Sequence, residues 1–248
     1  MTDPALLASR SLRPAGFSAP SAGAVVFFPY AGGAAASGRR LLEHLDGTLA
    51  GLAVQYPGKG DRKQEAEPHA IEDLAADIVE DLAQAGLLAG PPLTLYGHSM
   101  GAAVAFETAL QLEAGGHVPR LVCVSGRRAP SVSLGFTLPL SDAVILRNIE
   151  AGAGVPAEVL RNPKFRDALI AGVRNDYTMN VTYHRPPEAT LRAPLRFLLS
   201  DADPYVDEAA ALAWRAHAAG AFDLLHFQGG HFFIDQNLDA VARALRQG

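Results

Sequence analysis

The sequence contains little of several residue classes, and each shortage excludes a class of protein. Its single cysteine, Cys123, allows no internal disulfide and no cysteine cluster for zinc or iron–sulfur. Acidic residues outnumber basic ones, with 26 Asp and Glu against 21 Lys and Arg. The resulting net charge of −5 argues against nucleic-acid binding. Charged residues are only 19% of the chain, but an apolar fraction of 49% in 248 residues suffices for a buried core and excludes overall disorder.

Long apolar runs are also missing. The uncharged stretches at 17–38 and 83–106 contain proline, glycines and polar residues, whereas a spanning helix needs about twenty mainly apolar residues. The first residues have an acidic third position and no basic start, unlike a secretory signal. We therefore expect a cytoplasmic protein without a membrane partner. The oligomeric state cannot be derived from the sequence.

Short apolar runs alternate with helical patterns along most of the chain. The runs, which predict buried strands, lie at 24–29, 52–56, 93–96, 121–125, 195–199 and 222–227. The helical patterns lie at 71–85, 100–114, 207–219 and 236–247. Such alternation predicts an α/β fold with a mostly parallel central sheet and helices on both faces, built as one domain over residues 1–248.

Residues 130–192 interrupt this alternation. They contain helical patterns at 140–149, 156–160 and 163–173 but no convincing strand, and they are far longer than a plain crossover requires. We interpret them as a helical lid insertion over one end of the sheet and call them the lid segment. The alternative is a set of peripheral helices without a role at the site.

The strongest local motif is Gly97-His98-Ser99-Met100-Gly101. A Gly-x-Ser-x-Gly between a strand and a helix exposes the serine hydroxyl on a strained turn, and the glycines let strand and helix approach each other. The helix N-terminus also directs N–H groups toward developing negative charge. Ser99 is therefore the candidate nucleophile, with a passive glycine-rich turn as the alternative.

A nucleophilic serine requires a base, and the base requires an orienting acid. His231 follows the last predicted strand and a Gly-Gly turn, and the two phenylalanines after it could pack beneath its ring. His98 is adjacent to the nucleophile and is better interpreted as structural, while His226 and His217 fall within a strand and a helix pattern. We expect His231 to be the base.

The acid should lie in the loop after the strand at 195–199. Asp203 precedes a proline, which favours an extended conformation at a bend. Asp201 is the alternative, and Asp207 is a candidate helix cap.

The oxyanion hole should use the amide of the residue after the nucleophile and one from the loop after an early strand. These are Met100 and, in the Pro29–Gly33 loop, Ala31, with Tyr30 as the alternative. A merely structural glycine turn at this loop remains the other interpretation.

With these motifs together, the chain resembles the type II thioesterases of polyketide and nonribosomal peptide synthases, which belong to the α/β-hydrolase superfamily. The resemblance covers about residues 25–235, and its most specific parts are Phe-Pro-Tyr-Ala-Gly-Gly at 28–33 and Gly-Gly-His-Phe-Phe at 229–233. The other matching stretches are 55–58, 61–62, 97–102, 125–127, 129–130 and residue 203.

The resemblance implies that the enzyme hydrolyses acyl groups from the phosphopantetheine arm of acyl or peptidyl carrier proteins and removes stalled or aberrant chains. It also implies a helical lid, and the chemistry requires no metal or organic cofactor. Ser200, where members often have glycine, and residues 34–45, where they often have an aromatic-rich helix, depart from the family pattern.

Basic residues cluster in segments that follow predicted strands: Arg39, Arg40, Lys59, Arg62, Lys63, Arg127 and Arg128. In a parallel sheet these segments share one edge with Ser99, and an acidic carrier protein would be attracted to such a ring. We expect Arg62, Arg127 and Arg128 to contribute to carrier docking, although charged loop residues are often simply solvated.

Other functions use the same residues. A general carboxylesterase or lipase would share the triad, and an acyltransferase or cyclase would pass the acyl group to a nucleophile other than water. A non-catalytic hydrolase-fold binding protein would be favoured by a missing triad member, and none is missing. Acyl chain length and the cognate synthase cannot be derived from the sequence.

Overall fold

The computed structural model describes residues 9–15, 23–45, 47 and 49–247. The first eight residues, which we interpreted as unlike a secretory signal, and residues 17–22 of the first uncharged stretch lie outside these ranges. Within them, no helix combines the length and the apolar character needed to cross a bilayer.

In the described part of the chain, seven strands form one sheet in the order β1-β3-β2-β4-β5-β6-β7. The strands are β1 Leu12–Pro14, β2 Ala24–Phe28, β3 Ala50–Val54, β4 Leu93–His98, β5 Leu121–Ser125, β6 Leu195–Ser200 and β7 Phe222–Phe227. Only β1 is antiparallel to its neighbour, pairing Leu12 with Val54 at the sheet edge. The six predicted strands are confirmed within two residues at each end, whereas three-residue β1 is too short for its periodicity to be recognised.

The helices follow the strands in the alternating order that a parallel sheet requires. They are α1 Arg39–Leu42, α2 Ile71–Gln84, α3 Met100–Ala114, α4 Asp142–Gly152, α5 Ala157–Arg161, α6 Pro163–Thr182, α7 Glu208–Leu212 and α8 Leu238–Arg246. Short 3₁₀ turns lie at Ala35–Gly38, Gly60–Arg62, Ala213–His217 and Phe233–Gln236. Asp207 caps α7, as predicted, by accepting a 2.8 Å hydrogen bond from the Ala210 N–H.

Apolar side chains pack on both faces of the sheet. Along β2, Val26 and Phe28 join the cluster under α2 and α3, while Val25 and Phe27 join the cluster under α1 and α8. Strands buried on both faces need apolar residues at successive positions, which explains the continuous apolar runs in the sequence. The predicted α/β architecture, a mostly parallel sheet with helices on both faces, is confirmed in the described residues.

The lid segment carries α4, α5 and α6 between β5 and β6. These helices form an apolar cluster of their own, separate from the two on the sheet: Leu140, Ile145, Ile149, Leu160, Ile170 and Val173. Helix α6 continues nine residues beyond the predicted end at 173. Its last turns carry polar residues that contact the body of the protein, so apolar periodicity did not mark them. The assignment of this segment as a lid stays a prediction.

Candidate active site

Ser99 lies at a sharp turn between β4 and α3. Its φ of 56° is in the left-handed region, which non-glycine residues rarely occupy, and its N–H donates to the Ser125 carbonyl at 2.8 Å. A Cβ at Gly97 would be 2.0 Å from the Gly101 carbonyl oxygen, and one at Gly101 would be 2.0 Å from the Phe28 carbonyl oxygen. Both glycines are therefore required for strand and helix to approach so closely.

Asp203 and His231 meet at the same edge of the sheet, because they follow the adjacent parallel strands β6 and β7. Asp203 Oδ2 lies 3.0 Å from His231 Nδ1, and both side chains are buried. The other carboxylate oxygen of Asp203 accepts from the Tyr205 N–H at 2.9 Å. Asp201, the alternative acid, accepts instead from the Gly229 N–H at 2.8 Å. Asp203 is thus the one of the two carboxylates that can orient the imidazole.

Aromatic rings enclose His231. The Phe232 ring lies 5.1 Å away and the Tyr205 ring 4.8 Å away, both edge-on. Phe232 packs against the imidazole as expected, but Phe233 packs at 5.2 Å against Phe227. Burial, with the nearby Asp203 carboxylate, raises the pKa of Tyr205 to about 12, so its hydroxyl stays protonated beside the imidazole.

His98 is fully buried beside the candidate base, with the two imidazole centres 4.7 Å apart. Its Nδ1 lies 2.8 Å from Ser125 Oγ, which in turn lies 3.0 Å from the Tyr96 hydroxyl. Burial, with His231 adding to the effect, holds the pKa of His98 well below its ordinary value. A neutral, hydrogen-bonded ring agrees with the structural role expected for His98.

The two candidate oxyanion donors lie close to the serine in the fold. Met100 is the first residue of α3, so its N–H has no acceptor within the helix. Ala31 and Tyr30 line the same cavity as Ser99. Both residues remain open as the second donor, and the oxyanion assignments stay predictions.

A cavity of about 390 Å³ connects these groups. Ser99, His231 and Arg128 line it together with apolar residues, most of them from the lid segment: Leu134, Phe136, Ile149, Val155, Leu169, Val173 and Val181. In the described residues no hydrogen bond joins Ser99 Oγ to His231 Nε2; such catalytic contacts are often long until substrate binds. The arrangement can support nucleophilic attack on an acyl group with an apolar tail.

The expected docking roles of Arg62 and Arg127 are wrong, because both side chains are buried. Arg62 is 5% exposed and donates to Glu65 at 2.7 Å, while Arg127 is 3% exposed and donates to Asn180 at 2.7 Å. Burial lowers the pKa of Arg127 to about 10. These guanidiniums hold loops together instead of facing a partner. Arg128 is exposed at the cavity, and its docking role stays a prediction.

Other reactive groups lie away from the site. Cys123 is buried in β5, and burial raises its pKa to about 12, so the thiol is inert. Over the described ranges, no group of three or more His, Cys, Asp or Glu side chains could hold a metal ion.

Two residues at the site were not predicted from the sequence. The Tyr205 hydroxyl donates to the Asn148 carbonyl and so connects the loop of Asp203 to the lid segment. Asp176, on α6, contacts the loop that contains Ala31. The Asp-Pro-Tyr sequence at 203–205 suggests a turn that could have indicated Tyr205, but no local signal marks Asp176.

Residues 24–247 match the family model described as the thioesterase domain. Over 226 residues, 89% of this chain, the sequence is 38% identical to phenyloxazoline synthase MbtB of Mycobacterium tuberculosis, but it spans only 16% of that protein's length. The solved type II thioesterase BorB from the borrelidin biosynthetic cluster is 32% identical, with a TM-score of 0.81 and 96% of each chain covered. YbtT, a type II thioesterase from the yersiniabactin NRPS/PKS pathway, is 27% identical with a TM-score of 0.79, over 95% of this chain and 96% of that one.

Proposed function

The chain belongs to the thioesterase family, and from that premise we propose that it hydrolyses acyl thioesters on the phosphopantetheine arm of acyl or peptidyl carrier proteins. Its task would be to remove aberrant or stalled chains from a polyketide or nonribosomal peptide synthase. The observation that carries the proposal is the 3.0 Å contact between His231 Nδ1 and Asp203 Oδ2 beside the cavity that Ser99 lines. The similarity of the chain to type II thioesterases, over nearly the whole length of their solved chains, supports the editing role. A cytoplasmic location remains part of the proposal.

The first half of the reaction is acyl transfer to the enzyme. His231 Nε2 takes the Ser99 hydroxyl proton as Oγ attacks the thioester carbonyl, and the Met100 and Ala31 amides stabilise the oxyanion. Asp203 holds the imidazole with Nδ1 protonated and stabilises the imidazolium. Collapse of the tetrahedral intermediate breaks the C–S bond, and the proton passes from His231 to the leaving thiolate.

The second half releases the acyl chain as a carboxylic acid. His231 takes a proton from water, whose oxygen attacks the acyl-Ser99 carbonyl, and the same amides stabilise the second oxyanion. The C–Oγ bond breaks, and His231 returns the proton to Ser99. The apolar lining from the lid segment would hold the acyl tail and limit water around the ester.

The test compares short acyl-pantetheine thioesters with matched oxygen esters, using wild type and Ser99→Ala and measuring free thiol or alcohol. We expect higher kcat/KM for the thioester and a loss of at least about 10³-fold in Ser99→Ala, since removal of a nucleophilic serine usually costs more than this. Turnover that survives in Ser99→Ala would refute serine catalysis. Preference for the oxygen ester would favour a general esterase, and absence of turnover of either by folded wild type would favour a binding protein or an acyltransferase.

A further inference from the structure

The loop that contains Ala31 forms a tight turn with a defined peptide orientation. The Gly33 N–H donates to the Tyr30 carbonyl at 2.8 Å, and Gly32 has a φ of +77°, as the third residue of a type II turn requires. Type I and type II turns differ by a flip of the central peptide, here the one between Ala31 and Gly32. An interaction with the Gly32 N–H therefore selects between the two orientations.

The Gly32 N–H donates to Asp176 Oδ2 on α6 at 2.7 Å. This N–H is therefore occupied and unavailable to a substrate oxyanion, which leaves Ala31 or Tyr30 as the donor from this turn. The contact joins residues 144 positions apart. It links the lid segment directly to the proposed oxyanion loop.

Asp176 is held firmly in this position. Its side chain is 4% exposed, and Oδ1 lies 3.3 Å from Lys59 Nζ. Lys59 also donates to the Gly172 carbonyl at 2.7 Å and to Glu67 at 2.8 Å. Burial raises the pKa of Asp176, while the Lys59 ammonium opposes the increase. A buried carboxylate is costly to assemble even when it pairs with a cation that is only 10% exposed, as Lys59 is. The contact of Asp176 with Gly32 is therefore a specific feature of the packing.

Packing adds a second constraint at the same point. A Cβ at Gly32 would lie 2.7 Å from Cγ1 of Val173, which precedes Asp176 by one helical turn. Helix α6 thus rests directly on the turn, and a displacement of the helix would remove both the carboxylate and the packing from Gly32.

We propose that Asp176 is a positioning residue: through the Gly32 N–H it holds the turn at 30–33, whose preceding peptide carries the Ala31 N–H, so that the oxyanion hole is complete only while α6 is seated on the turn. The inference rests on the proposed function and deepens it, because it makes the lid segment part of transition-state stabilisation as well as of substrate enclosure. A group that acts on the oxyanion hole affects the tetrahedral intermediate and not the bound substrate.

The test uses Asp176→Ala, Asp176→Asn and the adjacent Asn175→Ala. Asn175 also ties α6 to the body of the protein, through a 2.7 Å hydrogen bond to the Pro68 carbonyl, but not to the turn. Each variant is assayed for kcat and KM with acyl-pantetheine. Each variant is also assayed for inhibition by two ketone analogues of the substrate. Ser99 adds to the carbonyl of the trifluoromethyl ketone and forms a tetrahedral oxyanion, whereas the matching non-fluorinated ketone binds without addition.

In Asp176→Ala we expect kcat to fall about 10- to 100-fold with KM nearly unchanged, because displacement of a catalytic group by about 1 Å can cost up to about 10²-fold. Complete loss of an oxyanion donor would cost more, about 10²- to 10³-fold. The inhibition constant of the trifluoromethyl ketone should rise by the same factor, and that of the plain ketone by less than about threefold. Only the trifluoromethyl ketone adduct needs the oxyanion hole. Asp176→Asn retains an acceptor for the Gly32 N–H and should recover most of kcat, and Asn175→Ala should resemble wild type.

Equal weakening of both ketones, an Asp176→Asn variant as impaired as Asp176→Ala, or an equal defect in Asn175→Ala would each overturn the inference. If Asp176→Ala does not fold, Asp176→Leu fills the volume without an acceptor and takes its place. Activity that survives in Ser99→Ala would refute the proposed function itself, whereas Ser99-dependent turnover that is insensitive to Asp176 would refute this inference alone.

Discussion

Gly126 offers a sharp test of how closely the two imidazoles are packed. It follows β5 with a φ of +68°, and a Cβ there would lie 2.5 Å from His98 Cε1 and 2.9 Å from His231 Cε1. Ordinary contact begins near 3.4 Å. Unless the backbone retreats, Gly126→Ala therefore requires a shift of about 0.9 Å at His98 and of about 0.5 Å at His231, the proposed base.

The expected result separates strain from displacement. A left-handed φ costs a non-glycine residue about 1–2 kcal/mol, which lowers the Tm of a chain of this size by about 2–8 °C. Misplacement of a catalytic group by about 1 Å costs up to about 10²-fold, so kcat for acyl-pantetheine should fall about 10- to 100-fold in Gly126→Ala. Thermal unfolding and steady-state thiol release measure the two effects.

Gly86 provides the matched control. Its φ is +70°, and a Cβ there would meet nothing within 4 Å. Gly86→Ala should therefore lose a similar amount of stability and keep the kcat of wild type. If Gly126→Ala keeps wild-type kcat, or if both variants lose activity equally, the steric argument is refuted.

Two further predictions concern the triad and pH. Asp203→Asn should lower kcat by about 10²- to 10⁴-fold by favouring the wrong imidazole tautomer. Asp201→Asn should keep a kcat near that of wild type, because its side-chain oxygen can still accept from the Gly229 N–H. If kcat falls more in Asp201→Asn than in Asp203→Asn, the acid is Asp201. The pKa of His98 is lower in the folded protein than in the unfolded chain, so as the pH falls the unfolded chain takes up the proton before the folded protein does. The contribution of His98 to the free energy of unfolding is therefore lost as the pH falls below about 6.5. In urea unfolding at pH 7.5, 6.5 and 5.5, His98→Asn should reduce the pH slope of the unfolding free energy by up to about 1.4 kcal/mol per pH unit, and an unchanged slope would contradict the assignment.

The sequence was sufficient for most of the scaffold. Strands covered on both faces require continuous apolar runs, so six of the seven strands in the described residues were predicted within two residues at each end. The serine turn requires glycine at 97 and 101 for steric reasons, so its position was also predictable. Features without a local pattern were missed, such as β1 and the last turns of α6.

The sequence by itself determined the fold, the family and the candidate nucleophile, because these depend on periodicity and on residues close together in the chain. Only the tertiary structure decided which carboxylate contacts His231, since Asp201 and Asp203 both lie in the loop after β6. It also decided that Arg127 is buried and that Asp176 contacts Gly32. Burial and long-range hydrogen bonds arise from how distant segments pack, so no local pattern records them.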